Sequence, residues 1–197
     1  MRRPLASGRV FMAVLAAGSS RRFGEADKLT APFRGKLLGE HVCVNAPVDR
    51  IAPGCAIVVT SKFDHPCAPA WRAAGFDMAI NTRASQGMGT SVAEAARLAL
   101  RAECDALLIA LADTPLVPRE HFEALIDAYT GADDLVCSFD GGVRLPPAIF
   151  GKNHIEALTT LIGDTGARAL LKEARTIVCP SDWLEDIDTP EALARLS

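Results

Sequence analysis

A layered α/β domain built on a mostly parallel sheet is the fold class this chain predicts, on three observations. Short apolar runs rich in β-formers recur along it, at residues 10–16, 55–60, 76–80, 104–112 and 134–139. Between them stand segments of helical character, such as 90–101 and 118–129. This alternation is the pattern of strands joined by helices that cover the sheet. Finally, the 197 residues are 49% hydrophobic and 6% aromatic, and a chain of this size buries about 70% of its unfolded surface. No repeat, low-complexity segment or linker divides the chain, so a single domain over 1–197 is expected.

Each element has its own signal. Residues 10–16 read as a buried strand running straight into Ala17, Gly18, Ser19 and Ser20. Residues 31–36 contain Pro32 and Gly35 and read as a turn, and 37–46 as a short helix. CAIVVT at 55–60 is a second buried strand, 66–74 a helix, 76–80 a third strand and 81–89 a polar, glycine-containing loop. The helix at 90–101 carries alanine and leucine on its inner face, and the run at 104–112 includes ALLIALA, the most apolar strand. The helix at 118–129 opens on proline with acids in its first turns, as the helix dipole favours. A fifth strand follows at 134–139. Residues 143–150 read as an edge strand, because Pro146-Pro147 cannot sit within a central ladder. Helices at 152–162 and 165–173, a short strand at 176–179 and a helix at 190–196 complete the chain.

Charge and cysteine usage narrow the function. The net charge of −3 argues against a nucleic-acid polymer as partner. Yet residues 1–36 hold eight Lys or Arg against Glu25 and Asp27, a local +6 that leaves −9 for the rest. That asymmetry suits a local anion site. The six cysteines, at 43, 55, 67, 104, 137 and 179, form no C-x-x-C pair, so neither a disulfide framework nor a zinc site is expected. Cys55, Cys104 and Cys137 read as small core residues, and the isolated pair His65-Pro66-Cys67 does not make a metal site. A reducing cytoplasm follows as the expected location. The basic, apolar and small residues at the start sketch a signal peptide. Their apolar run is too short, however, and cleavage near Ala17 would remove the first strand. No run is long enough to span a membrane.

The most informative stretch is 10–28, VFMAVLAAGSSRRFGEADK. Small residues after a buried strand let backbone N–H groups close on an anion. Arg21, Arg22 and Lys28 add full positive charge suited to phosphate oxygens. A Walker A loop would need Gly-Lys-Ser/Thr, and a dinucleotide fingerprint G-x-G-x-x-G; neither is present. In sheets of this class ligands gather beyond the carboxyl ends of the strands. Asp113 follows ALLIALA there, in Leu111-Ala112-Asp113-Thr114-Pro115, where a carboxylate can hold Mg²⁺ or cap a turn. Asp186-Ile187-Asp188-Thr189-Pro190-Glu191 is a second acidic candidate; Thr189 or Asp188 can cap the closing helix. Ser85-Gln86-Gly87-Met88-Gly89-Thr90-Ser91 opens a helix whose start offers N–H groups and hydroxyls to a ligand. Arg168 would sit in the first turn of a helix, where a cation opposes the dipole, which favours a nearby anion as its partner.

These motifs carry a family resemblance. LAAGSSRRFGEADK, residues 15–28, resembles the L-A-A-G-x-S-x-R-M-G-x-x-K signature of the MobA-like nucleotidyltransferases. Its A-A-G form is more similar to the molybdenum-cofactor cytidylyltransferase branch than to the guanylyltransferase branch, which reads A-G-G. Phe23 stands for the usual methionine, and three residues rather than two separate Gly24 from Lys28. Similar proteins carry L-x-D-x-P at Asp113, D-x-D-T-P at Asp188, N…Q-G-M-x-x-S across Asn81 to Ser91, and G-D-x-G-A-R across Gly163 to Arg168. Leu145 departs from the His or Arg that usually precedes the Pro-x-x-F run.

The resemblance implies a three-layer α/β/α Rossmann-like nucleotidyltransferase fold and transfer of a nucleoside monophosphate to a phosphorylated acceptor with release of pyrophosphate. It implies catalytic roles for Arg22 and Lys28. Leu15, Ala16, Ala17, Gly18, Ser19, Ser20, Arg21, Gly24, Asn81, Gly87 and Ser91 would bind the nucleotide. Mg²⁺ would be held by Asp113 and Asp188, and the acceptor by Gln86, Met88 and Arg168. CTP and molybdopterin are the expected substrates, with a molybdoenzyme or its maturation chaperone as a protein partner. GTP with molybdopterin, or CTP with a sugar or polyol phosphate, shares the same chemistry. A non-catalytic carrier of a nucleotide-bearing cofactor is the alternative from another class.

Overall fold

The computed structural model describes residues 8–18, 23, 27–163 and 170–197. Its centre is β1 (Val10–Leu15), buried at every position. A parallel strand covered on both faces has no wet side, which is why VFMAVL is apolar without alternation. Two parallel strands flank it, β4 (Ala56–Thr60) and β6 (Ala106–Leu111), with Leu15 opposite both Val59 and Leu111. β5 (Asp77–Ile80) pairs with β4, again in parallel. Beyond β6 lie the antiparallel β8 (Arg144–Gly151), then β7 (Leu135–Phe139) and β9 (Arg175–Val178), giving the order β5-β4-β1-β6-β8-β7-β9. Among the described strands of this sheet, only β8 runs against the rest. A separate hairpin joins β2 (Pro32–Phe33) to β3 (Lys36–Leu37).

The helices follow the expected alternation. α3 (Met88–Arg101) buries Val92, Ala93, Ala95, Ala96 and Ala99 against β1, β4 and β6. Alanines at those positions let its axis lie close to the sheet. It begins two residues earlier than the sequence predicts, because Gly87, with φ +106°, turns the chain into the helix from the left-handed region. α4 (Arg119–Ala128) packs Phe122, Leu125 and Ile126 on β7 and β8, and α5 (Lys152–Leu158) lies beside α3. α1 (His41–Asn45), extended by a 3₁₀ turn at Leu38–Glu40, occupies the predicted 37–46 segment. α2 (Ala68–Ala73) and α6 (Pro190–Leu196) fall within their predicted spans. Cys55, Cys104 and Cys137 are buried in the main core. The helix expected at 165–173 falls largely on residues 164–169, outside the described residues.

One expectation is corrected. The segment at 143–150 is not an edge strand; β8 sits inside the sheet, between β6 and β7. On β6 its ladder runs from Ala106 opposite Gly151 to Ile109 opposite Ala148. On β7 it reaches Cys137 opposite Ala148, then shifts and resumes at Ser138 opposite Leu145. Pro146 and Pro147, joined by a cis peptide, fall in that shift, where neither ladder requires the N–H they lack. Ser138 spans the gap. Its buried Oγ donates to the Pro147 carbonyl at 2.8 Å and accepts from His121 Nε2 at 2.7 Å.

Ser138→Ala leaves both the His121 N–H and the Pro147 carbonyl without their partner in a dry interior. The expected loss of stability is about 1–3 kcal/mol, read from urea unfolding. A midpoint unchanged from the parent would show that the hydroxyl does not hold the shift.

Candidate active site

The carboxyl end of β1 is fastened to both neighbours before the chain leaves the sheet. The Leu15 carbonyl accepts from Ala112 N at 3.1 Å, and Ala16 N donates to the Val59 carbonyl at 2.8 Å. Leu15, Ala16 and Ala17 are buried, and Gly18 is exposed. The expectations for Ser19, Ser20, Arg21, Arg22 and Gly24 lie outside the described residues. Phe23 packs on a small second core made by Phe33, Leu38 and Ile187. The loop is thereby tied to the C-terminal acidic segment through an apolar contact.

Lys28 is the centre of the site. It opens a 3₁₀ turn, Lys28–Thr30, capped by Asp27, whose Oδ1 accepts from Leu29 N at 3.1 Å. Although a lysine, it is only 8% exposed. Its Nζ lies 2.6 Å from Asp113 Oδ2 and is hydrogen-bonded to Asp188 Oδ1 as well. Burial by itself would lower the Lys28 pKa, but the charges and hydrogen bonds of Asp113 and Asp188 outweigh it and leave the pKa raised. The ammonium is held charged.

The acidic partners come from two elements that the second core brings together. Asp113 leaves the end of β6, and its carbonyl accepts from Ile187 N at 2.9 Å. Ile187 is fully buried, so the extended alternation of Asp186-Ile187-Asp188 turns both aspartates away from that core. The choice of cap is also settled by geometry. Thr189 Oγ1 accepts from Ala192 N and caps α6, leaving the Asp188 carboxylate to Lys28. Asp186, named in the acidic stretch but given no role of its own, also lies beside Asp113 and Asp188. It stays open to solvent, yet partial burial and the charges of Asp188 and Asp113 push its carboxyl up. The period-two spacing of Asp186 and Asp188 about an apolar residue was the signal that could have found it.

A second cluster forms further along the same edge, where β4 and β5 end. Asn81 N donates to the Thr60 carbonyl, and the buried Asn81 Nδ2 donates to Thr90 Oγ1 at 2.8 Å and Ser91 Oγ at 2.9 Å. Its Oδ1 accepts from Arg83 N. Asn81 and Ser91 therefore brace the start of α3 from within. Gln86 and Met88 are exposed beside them. Gly89 N donates to the Gly163 carbonyl at 2.7 Å, and Gly163 N to the Gln86 carbonyl at 3.1 Å. A Cβ on residue 89 would come within 2.7 Å of that Gly163 oxygen, so only glycine allows this approach. The two motifs are thus stitched together, while Arg168 lies outside the described residues.

This arrangement can bind and neutralise anions, and one oxygen points to a cation. Among the described residues Asp113 Oδ1 is buried without a hydrogen-bond partner. An acceptor-only oxygen in that state is satisfied by a hard cation such as Mg²⁺, which takes one or two carboxylates and completes its shell with water and phosphate. Among the described residues no group of three or more His, Cys, Asp or Glu is arranged to hold a metal by itself. Asp113 Oδ1 fits the smaller requirement as one such carboxylate oxygen, while Asp188 Oδ1 is bonded to Lys28. Also among the described residues, no helix is long and apolar enough to cross a membrane.

Comparison with known proteins finds relatives of this chain and of its fold. The model of the MobA-like NTP transferase domain matches residues 12–177. The purine catabolism protein PucB of Bacillus subtilis is 32% identical over 192 residues, covering 90% of each chain. Among solved structures, Rv0371c from Mycobacterium tuberculosis is 24% identical with a TM-score of 0.72, covering 97% of this chain and 98% of its own. Rv0371c has also been solved in complex with manganese, with a TM-score of 0.68 to this chain, 23% identity and 95% and 97% coverage. The nucleotidyl transferase Mth528 from Methanothermobacter reaches a TM-score of 0.76 at 16% identity, covering 95% of both chains.

The turn that carries Lys28 has an acid-sensitive cap. The hydrogen bond from His65, opposed by burial and assisted by Leu29 N, holds the Asp27 carboxyl below its usual 3.8. A carboxylate with a depressed folded-state pKa contributes stability above its unfolded value and loses it as pH falls through the folded one. The difference in urea midpoint between the parent and Asp27→Asn is therefore expected to hold steady at neutral pH and to narrow below about pH 4. A difference that widens on acidification would contradict this assignment.

Proposed function

The chain belongs to the MobA-like NTP transferase family and is a nucleotidyltransferase; on that premise we propose that it transfers CMP from CTP to molybdopterin. An acceptor phosphate oxygen attacks the α-phosphorus of the nucleotide. A new P–O bond forms, the bond from that phosphorus to the bridging oxygen breaks, and pyrophosphate leaves. Such a displacement needs no protein nucleophile, only alignment and neutralisation of charge.

The observation that carries this reading is Lys28, buried and bonded to both Asp113 and Asp188 at the carboxyl edge of the sheet. Lys28 and Arg22 stabilise charge on the triphosphate and the departing pyrophosphate. The loop from Leu15 to Gly24 supplies backbone N–H groups to the phosphates, and Asn81, Gly87 and Ser91 shape the nucleotide side of the site. Gln86, Met88 and Arg168 serve to bind the acceptor. Asp113 and Asp188 would hold Mg²⁺, which when bound neutralises phosphate oxygens. The manganese complex of Rv0371c supports a divalent cation in a protein of this fold. Six buried, unpaired cysteines suit a reducing cytoplasm, where the product passes to a molybdoenzyme or its maturation chaperone.

The test is pyrophosphate release with Mg²⁺ across the four ribonucleoside triphosphates, each offered molybdopterin, a sugar phosphate or a polyol phosphate. CTP with molybdopterin is expected to be fastest. Fastest turnover with GTP or with a sugar phosphate reassigns the substrates, and no release with any pair overturns the reading. Lys28→Ala and Arg22→Ala are each expected to slow turnover by about 10²–10³, the scale for a lost transition-state charge partner.

A further inference from the structure

The turn that presents Lys28 is held from behind by residues outside the site. Asp27 accepts from Leu29 N through Oδ1, and its carbonyl accepts from Thr30 N at 2.9 Å and Thr30 Oγ1 at 2.7 Å. Its remaining oxygen, Oδ2, faces His65 Nε2 at 3.2 Å. His65 is only 3% exposed and stacks on Trp71, with ring centroids 4.6 Å apart and planes 25° from parallel. Its other nitrogen, Nδ1, accepts from Cys67 N at 3.1 Å, which leaves the proton on Nε2, aimed at Asp27. Two further contacts fix the bracket. Trp71 Nε1 donates to the Gly39 carbonyl at 2.8 Å, and Cys67 Sγ to the Leu29 carbonyl at 3.4 Å. A histidine whose two nitrogens are both committed, one of them to the residue before Lys28, is a mount for that residue.

We propose that His65 is a positioning residue: through Asp27 it sets the Lys28 turn so that the ammonium stays between Asp113 and Asp188. The inference rests on the catalytic reading of Lys28, but its geometric half stands apart from turnover. Loss of the imidazole removes the donor to Asp27 Oδ2 and the stacking partner of Trp71. Asp27→Asn fails differently. Its amide cannot accept from both His65 Nε2 and Leu29 N through its one oxygen, so one of those donors meets an N–H₂ group.

The first measurement is a short acetic anhydride pulse on the folded protein, with Lys28 acetylation read by peptide mass spectrometry against the exposed Lys152 and Lys172. Lys28 is expected to react slowly in the parent and at least about fivefold faster in both His65→Ala and Asp27→Asn, as a shielded group does when its local anchor is lost. Unchanged labelling in folded His65→Ala overturns the proposal. If that variant does not fold, Asp27→Asn decides on the same criterion.

The second measurement separates positioning from mere stabilisation. His65→Ala is expected to lower kcat by about tenfold, with KM for the triphosphate nearly unchanged, and to cause no further loss in a Lys28→Ala background. Equal losses in both backgrounds would mean that His65 acts independently of Lys28, and would also overturn the proposal. Faster Lys28 labelling in the variants, in a protein that releases no pyrophosphate with any substrate pair, would retain the mount and refute the transferase reading alone.

Discussion

An ammonium shut away from water is the constraint around which the site is arranged. Lys28 is almost fully buried, and an isolated charge in that position would lose its proton or unfold its surroundings. Asp113 and Asp188 remove that cost by bonding it directly, and in doing so they join the end of β6 to the segment before α6. Each partner also needs the others. Without the lysine, Asp113, Asp186 and Asp188 would crowd three like charges at one edge.

The scaffold meets this demand with two cores of different size. The large one covers the parallel strands and fixes Leu15 and Leu111 side by side in register. The small one, around Phe33, Leu38 and Ile187, gathers Phe23, the β2–β3 hairpin and α6 over the same edge. The hydrogen bond from Ile187 N to the Asp113 carbonyl closes the link between them. Few apolar side chains thus determine where several charges meet.

Much of this was legible in the chain itself. The apolar run of β1 and the small residues after it locate the loop, and ALLIALA followed by aspartate locates Asp113, because strands of a parallel sheet end on one side. Asp188 was ambiguous for a physical reason: an aspartate before Thr-Pro-Glu satisfies the chemistry of a helix cap equally well, and only the Thr189 side chain, once seen to cap α6, releases it. The place of β8 was hidden because the rule against central prolines assumes an unbroken ladder, whereas Ser138 and the shift beside it remove that demand. The Asp27–His65 pair spans 38 residues and leaves no local pattern. His65-Pro66-Cys67 was read as no metal site, but nothing local in the sequence showed that its nitrogens and sulfur hold a carboxylate and neighbouring backbone.

The antiparallel strand has a consequence for how the chain is made. β8 lies next to β6 in space but emerges from synthesis after β7, so the first four parallel strands can assemble while one flank of β6 is still bare. β7, already complete, has no place beside that flank until residues 144–151 arrive to separate them. A nascent chain halted between these two strands would display an unpaired, apolar backbone edge of the kind that recruits other polypeptides. Residues 144–151 thus enter as an insertion between two strands already made, and only their arrival covers the bare flank of β6.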